Sequence, residues 1–217
     1  IVVRGCGMDE TILSFRNSAN ATGVEANFVR GIAIEDLTTL DTPGDGIKFV
    51  GVKWGTVRNV RTMWSGGLCR EEGTGCIDES NYQERIHVSC TNPPMNEGDP
   101  TPDYTPSRAS GRYGIFPVNS ENVVVEGVES VGASDAGIYT GQMRNSIIRN
   151  SRAVYNVFGF EIENVQGAEY DNNLAECNTA AYLIYDLENL GWYGDRTVMR
   201  NNVAWNNNTY NFAPPHT

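Results

Sequence analysis

The chain of 217 residues is long enough for one domain with a sizeable apolar core and short for two. It carries 27 acidic against 16 basic residues, a formal charge of −11, and only two of the basic residues are lysines, Lys48 and Lys53; this argues against nucleic acid or an anionic membrane surface as the main partner. Apolar residues come in short pieces, far from the roughly 20 in a row that a bilayer span needs, and Gly and Asn supply 23 residues each against 8 leucines, a balance that favours tight turns over long helices.

The chain opens in strand-like Ile1-Val2-Val3 with neither an initiator Met nor a leader-like segment. It reads as a single domain over 1–217 that is a piece of a longer chain, any export signal having been removed or lying upstream. Downstream, Ile32/Ile34, Val123/Val125 and Ser146/Ile148 alternate with polar neighbours, the period of two of a strand with one buried face.

A longer period organises these strands. The phrases Gly114-Ile115-Phe116-Pro117, Gly137-Ile138-Tyr139-Thr140, Gly159-Phe160-Glu161-Ile162 and Ala181-Tyr182-Leu183-Ile184 start 23, 22 and 22 residues apart, and Gly46-Ile47-Lys48-Phe49 is an earlier copy. Thirteen residues after Gly46, Gly114, Gly137 and Gly159 stand Asn59, Gly127, Asn150 and Asn172, with Asp36 23 residues before Asn59 and Asn201 29 residues after Asn172. Gly and Asn tolerate the left-handed backbone of a sharp bend. Three residues past this turn column come Thr39, Thr62, Ser130, Ala153, Ala175 and Ala204, all small, and six past it in the last repeats come Asn156, Asn178 and Asn207.

Leucine-rich repeats would need recurrent leucines, and helical repeats a 3.6-residue apolar face; neither occurs. The expected fold is all-β, a parallel β-solenoid of about seven rungs with like residues stacked in ladders and interior asparagines bonded to one another and to the bent backbone. One insertion, 67–112, holds Cys69, Cys76 and Cys90, five prolines between Pro93 and Pro106, and Glu97, Asp99 and Asp103. It is expected to be a long loop with one disulfide, placed to wall the outer surface of the neighbouring rungs; its acids are either a Ca²⁺ site or a solvated turn. Cys6 and Cys177 are read as reduced or as small buried ladder members.

The phrases Gly111-Arg112-Tyr113-Gly114-Ile115-Phe116-Pro117-Val118, Ser134-Asp135-Ala136-Gly137-Ile138-Tyr139-Thr140-Gly141-Gln142, Glu161-Ile162-Glu163-Asn164 and Asn211-Phe212-Ala213-Pro214 resemble exported bacterial right-handed parallel β-helix repeat proteins of the pectin-lyase-like superfamily. The resemblance covers most of the chain outside 67–112. It implies a right-handed helix and a secreted, periplasmic or cell-surface location, while better-known relatives act on acidic polysaccharides as lyases, hydrolases or epimerases. Ala181, standing where the phrase has Gly, and the large insertion depart from the pattern.

If the second and fourth positions of each Gly-Ile phrase face inward, the third and fifth face solvent and stack. One column reads Lys48, Phe116, Tyr139, Glu161 and Leu183, the next Val50, Val118, Gly141, Glu163 and Tyr185, with Asp135, Gln142, Asn164 and Asp186 at the margins. Flat rings suit sugar faces and polar groups suit hydroxyls, so Phe116, Asp135, Gln142, Arg144, Glu163, Tyr185 and Asp186 are candidate substrate-binding residues, Lys48 or Arg144 supplying a cation for a uronate. Tyr139, Lys48 and Glu161 are the candidate catalytic residues for proton abstraction; hydrolysis would pair Glu161 with Asp135 or Asp186. Close stacking of Glu161 and Glu163 makes one of them hard to ionise, a start for an acid catalyst or a Ca²⁺ site. The competing reading is an ordinary strand surface. Zinc and c-type haem are disfavoured, the only histidines being His87 and His216 with no Cys-x-x-Cys, so no cofactor beyond Ca²⁺ is expected. Function is expected to be glycan binding or glycan chemistry at this stripe. The alternative is a structural module that self-associates through exposed solenoid ends.

Overall fold

In the computed structural model, which describes residues 1–15, 18, 22–66, 112–209 and 211, the described chain contains strands and turns and no helix. The strands are β1 (Val2–Arg4), β2 (Ile12–Ser14), β3 (Val24–Asn27), β4 (Arg30–Leu40), β5 (Ile47–Val50), β6 (Lys53–Met63), β7 (Ile115–Val118), β8 (Val124–Glu126) and β9 (Glu129–Val131). They continue as β10 (Ala136–Gly141), β11 (Ile147–Arg149), β12 (Arg152–Val154), β13 (Phe158–Glu163), β14 (Glu169–Asp171), β15 (Leu174–Glu176), β16 (Ala180–Tyr185), β17 (Val198–Arg200) and β18 (Val203–Trp205).

All the strand pairings are parallel. β3, β5, β7, β10, β13 and β16 stack as one six-stranded sheet, hereafter the front sheet; the rest form a twelve-stranded sheet bent into two flanks. The long β6 pairs with β8 through its first half and with β9 through its second, so the bend lies between those halves. One circuit runs along the front sheet, then one flank, then the other, which is a parallel β-helix with a 22–23-residue circuit.

The bend is local chemistry. Asp36, Asn59, Gly127, Asn150, Asn172 and Asn201 all have φ between 50° and 60°, the left-handed region that Gly and Asn enter most cheaply. Inside the bend Ile34, Val57, Val125, Ile148 and Tyr170 are successive partners, and each is fully buried. Thr39, Thr62, Ser130, Ala153, Ala175 and Ala204 are likewise successive partners, small enough for the two flanks and the front sheet to close. Three-residue strands have no independent stability, so burial of this continuous interior across circuits carries the fold.

Turns between the second flank and the front sheet are tied by amides. Asn156 Nδ2 donates to Asn178 Oδ1 at 3.0 Å, and Asn178 Nδ2 to Asn207 Oδ1 at 2.9 Å. Each acceptor also takes a backbone N–H from the circuit before it. A second ladder, not found by counting along the sequence, runs Ser151, Asn173 and Asn202 at the bend between the flanks; it changes residue type after its first member and so hides from a search for identical residues.

Opposite charges also stack. Arg4, Glu35, Arg58, Glu126, Arg149, Asp171 and Arg200 are successive partners immediately before the turn column, alternating in sign along the axis. Arg58 lies 3.6 Å from Glu35 and 3.1 Å from Glu126, and Arg149 lies 2.8 Å from Glu126. On the other flank Arg61 holds Glu129 at 2.6 Å and Arg152 holds Glu176 at 2.6 Å.

The insertion and its expected disulfide fall outside the described residues. Cys6 is a free, exposed thiol. Cys177 is buried, and it is disulfide-bonded rather than reduced.

Candidate functional site

The front sheet stacks its outer columns in the register expected from the repeat. Lys48 pairs with Phe116, Tyr139 with Glu161 and Glu161 with Leu183; Val50 pairs with Val118, Gly141 with Glu163 and Glu163 with Tyr185. β3 extends both columns with Glu25 and Asn27. The expected solvent exposure is corrected, however: Tyr139 and Glu161 are each 5 % exposed, Glu163 7 % and Asp135 8 %. Period-two alternation sets which way a side chain points, while its depth depends on what neighbouring circuits lay over it.

Aromatic rings supply part of that cover. Tyr113 stacks on Phe116 with centroids 4.5 Å apart and planes 4° from parallel, and Tyr139 tilts against both at 4.7 and 4.8 Å. Lys48 Nζ lies 5.4 Å from the Phe116 centroid and 3.4 Å from a carboxylate oxygen of Asp45. Asp45 and Tyr113 belong to the cluster although sequence reasoning does not single them out; they flank the Gly-Ile phrases but stand 68 residues apart across the insertion, where the Tyr113 N–H donates to Asp45 at 3.2 Å.

Four buried carboxyls, Asp45, Asp135, Glu161 and Glu163, therefore lie along the stripe. Burial pushes Asp45 up, against its interactions with Tyr113 and Lys48. Burial pushes Asp135 up to about 6, a hydrogen bond with Tyr113 opposing and the charge of Asp45 reinforcing. Burial pushes Glu161 up to about 7, the hydrogen bond with Tyr185 opposing and the charges of Asp135 and Glu163 reinforcing. Tyr113, Tyr139 and Tyr185 are all raised, burial first and the neighbouring carboxylates after it, so they are phenols at neutral pH.

The hydrogen bonds place a proton on the pair. The Tyr185 hydroxyl lies 2.6 Å from Glu161 Oε1 and 2.7 Å from Glu163 Oε2. A phenol has one proton, so both short contacts are hydrogen bonds only if one carboxyl is itself protonated. Glu163 also accepts from the Tyr139 hydroxyl at 3.1 Å and from the Gln142 amide. Glu161, pushed up to about 7 by burial, is held toward the carboxylic acid, and its Oε2 is buried without a hydrogen-bond partner. With Glu163 oxygens taken by hydroxyl and amide donors, the two are arranged as a hydrogen-bonded carboxyl pair rather than as a Ca²⁺ cage. Among the described residues no cluster of three or more His, Cys, Asp or Glu is disposed to hold a metal ion.

Two candidates stand apart from this cluster. Arg144 is exposed, its guanidinium 4.0 Å from the Trp192 ring centroid, in the turn beyond the front sheet. Asp186 is exposed and its carboxylate accepts the Gly194 N–H at 2.9 Å, closing the loop that follows β16.

No known family profile matches the chain, and no curated protein matches it by sequence. Among solved structures it is similar to the A-modules of the mannuronan C-5 epimerases AlgE6 and AlgE4 of Azotobacter vinelandii, each at a TM-score of 0.55 and 14 % identity. The match covers 94 % of this chain and 52 % and 51 % of those chains, so this chain spans about half their length. At that identity the likeness supports the parallel β-helix fold alone.

Proposed function

We propose that the protein acts on a polysaccharide at the front-sheet stripe by proton transfer, with Glu161 as general acid and Glu163 as the carboxyl paired with it. The observation that carries this reading is the pair itself, two carboxyls joined by one tyrosine hydroxyl, one raised to about 7 and carrying a buried, unpartnered oxygen. Two neighbouring carboxyls driven to different protonation states are the usual division of acid and base roles. Phe116 and Tyr113 offer aromatic faces for sugar rings, and Lys48 a cation. Tyr139 and Tyr185, kept as phenols, position the pair by donating to Glu163 and are poor bases, which narrows the roles open to Tyr139.

The A-modules named above belong to mannuronan epimerases, which agrees with this reading, and a secreted, periplasmic or cell-surface location, where such substrates occur, is part of the proposal. Right-handed winding is part of the proposal, since parallel crossovers take that hand almost without exception. A structural module that stacks end to end is the rival reading, favoured by the exposed Ile184, Val198, Val203 and Trp205 in the last strands.

Incubating the protein with a panel of polyuronates and neutral glycans in heavy water, with mass spectrometry of the products, tests the reading. Shortened unsaturated chains indicate a lyase, shortened hydrated chains a hydrolase, and full-length chains that gain deuterium an epimerase. Glu161→Gln should abolish whichever is seen, with the wild-type rate falling as pH rises through about 7. Unchanged glycans across the panel would overturn the catalytic reading.

A further inference from the structure

A second surface breaks the rule of the turns. Between the front sheet and the first flank, one turn position holds Phe28, Gly51, Asn119, Gln142 and Asn164 in successive circuits, all with φ between 48° and 62°. Three residues on, another holds Gly31, Trp54, Asn122, Asn145 and Gly167, with φ between 51° and 75°. Both positions lie in the left-handed region, which suits Gly and Asn and disfavours bulky side chains. Phe28 and Trp54 are the two aromatic exceptions, and neither recovers the cost by burial: Phe28 is 83 % exposed and Trp54 48 %.

These exceptions are neighbours. A Cβ on Gly51 would come within 2.7 Å of Phe28 Cδ1, so the Phe28 ring rests on the Gly51 backbone, three residues before Trp54. The Arg30 guanidinium lies 4.1 Å from the Trp54 ring centroid, covering one face of the indole. Arg30 is exposed and forms no salt bridge among the described residues, unlike Arg4, Arg58, Arg61, Arg149, Arg152, Arg196 and Arg200. Two open rings held beside an unpaired, pre-oriented guanidinium can stack on sugar faces and grip a carboxylate with a planar pair of N–H donors.

We propose that Phe28, Trp54 and Arg30 form a binding platform for an acidic glycan chain. It rests on the polysaccharide reading above and names the substrate class. Phe28 occupies the same turn column as Gln142, which donates to Glu163. Three circuits separate them, about 14 Å at the usual strand spacing. A polyuronate laid along the axis reaches from the platform to the carboxyl pair, and the platform holds it while the pair meets the reacting sugar.

Binding is measured separately from turnover, by affinity electrophoresis and calorimetry of the full chain with polygalacturonate, polymannuronate and a neutral glucan. Trp54→Asn and Phe28→Asn install the residue that other circuits use at these turns, so both variants should fold with unchanged or higher Tm. Each should weaken polyuronate binding about tenfold, the loss of one stacked ring with its ordering. Arg30→Gln should remove the preference for polyuronate over neutral glucan. Equal polyuronate affinity in wild type and both Asn variants overturns the platform, as does a wild type that binds no polyuronate. Trp54-dependent binding without any change in the glycan would keep the platform and reject only the catalytic reading.

Discussion

The front sheet and the flanks are built on the same stack of parallel strands and treat charge in opposite ways. On the flank the column from Arg4 to Arg200 alternates sign at each step, so each guanidinium meets a carboxylate above or below it. On the front sheet Asp45, Asp135, Glu161 and Glu163 share one buried stripe, with Lys48 as the paired cation. Parallel stacking multiplies whatever sits at a position, so a like-charged column is tolerated only if some members stay protonated. Alternation serves register, since a slip by one circuit would set like charges together; the acidic stripe opposes folding and points to chemistry instead.

The largest effect is expected where the stack satisfies itself most fully. Asn178→Leu strips the buried Asn156 backbone N–H of its acceptor, leaves the Asn156 side-chain amide only its bond to the Ser130 carbonyl, and removes the amide donor to the Ala153 carbonyl, and should cost about 3 kcal/mol. Thermal melting reads this as a drop of roughly 6–12 °C; an unchanged Tm would show that the amide column contributes nothing.

Next comes the acidic stripe, where removing charge should stabilise. Glu161 is held above its ordinary value of 4.5, so the folded state binds that proton more tightly than the unfolded chain. Its contribution is intact below about pH 4.5 and is lost as pH rises through about 7, and Asp135, raised to about 6, acts in the same direction. Glu161→Gln should therefore raise stability at pH 8 by on the order of 2 kcal/mol and flatten the decline in Tm between pH 5 and 8. A variant that melts in parallel with the wild type across that range would contradict the protonated state assigned to Glu161.

Smaller effects belong to the flank. Arg58→Glu places three carboxylates in a row with Glu35 and Glu126, and should cost about 1 kcal/mol at low salt and less in 0.5 M salt. The smallest is the coupling within one pair: a double-mutant cycle between Arg58 and Glu126 should return roughly 0.5 kcal/mol or less, because the arginine is half exposed. A larger coupling at Arg61–Glu129, where both partners are more buried, would sharpen the contrast between exposed and covered rungs.

Much of the fold is legible in the sequence, and for one reason. In a parallel helix of near-constant circuit, residues 22 or 23 apart become partners, so the columns Ile115/Ile138/Phe160/Tyr182 and Asn156/Asn178 follow from counting along the chain, and Ile47 and Asn207 join them once the 68- and 29-residue steps are read as one circuit plus an insertion. The charge column obeys the same spacing and escapes such counting because its members alternate rather than repeat. Arg144 and Asp186 are sequence neighbours of the stripe that the turns direct elsewhere, to Trp192 and Gly194. Asp45 and Tyr113 carry no signal in the chain because only sheet pairing across the insertion joins them.

Sequence alone thus determined the period, the register and the membership of the outer columns, since stacking carries a linear repeat directly into space. Tertiary structure decided depth and electrostatics: that Glu161 and Glu163 are buried, that Tyr185 bridges them, and that burial pushes Glu161 up to about 7. Those properties come from the rings and carboxyls that adjacent circuits bring over each position, and a difference in cover between one circuit and the next leaves no periodic trace in the chain.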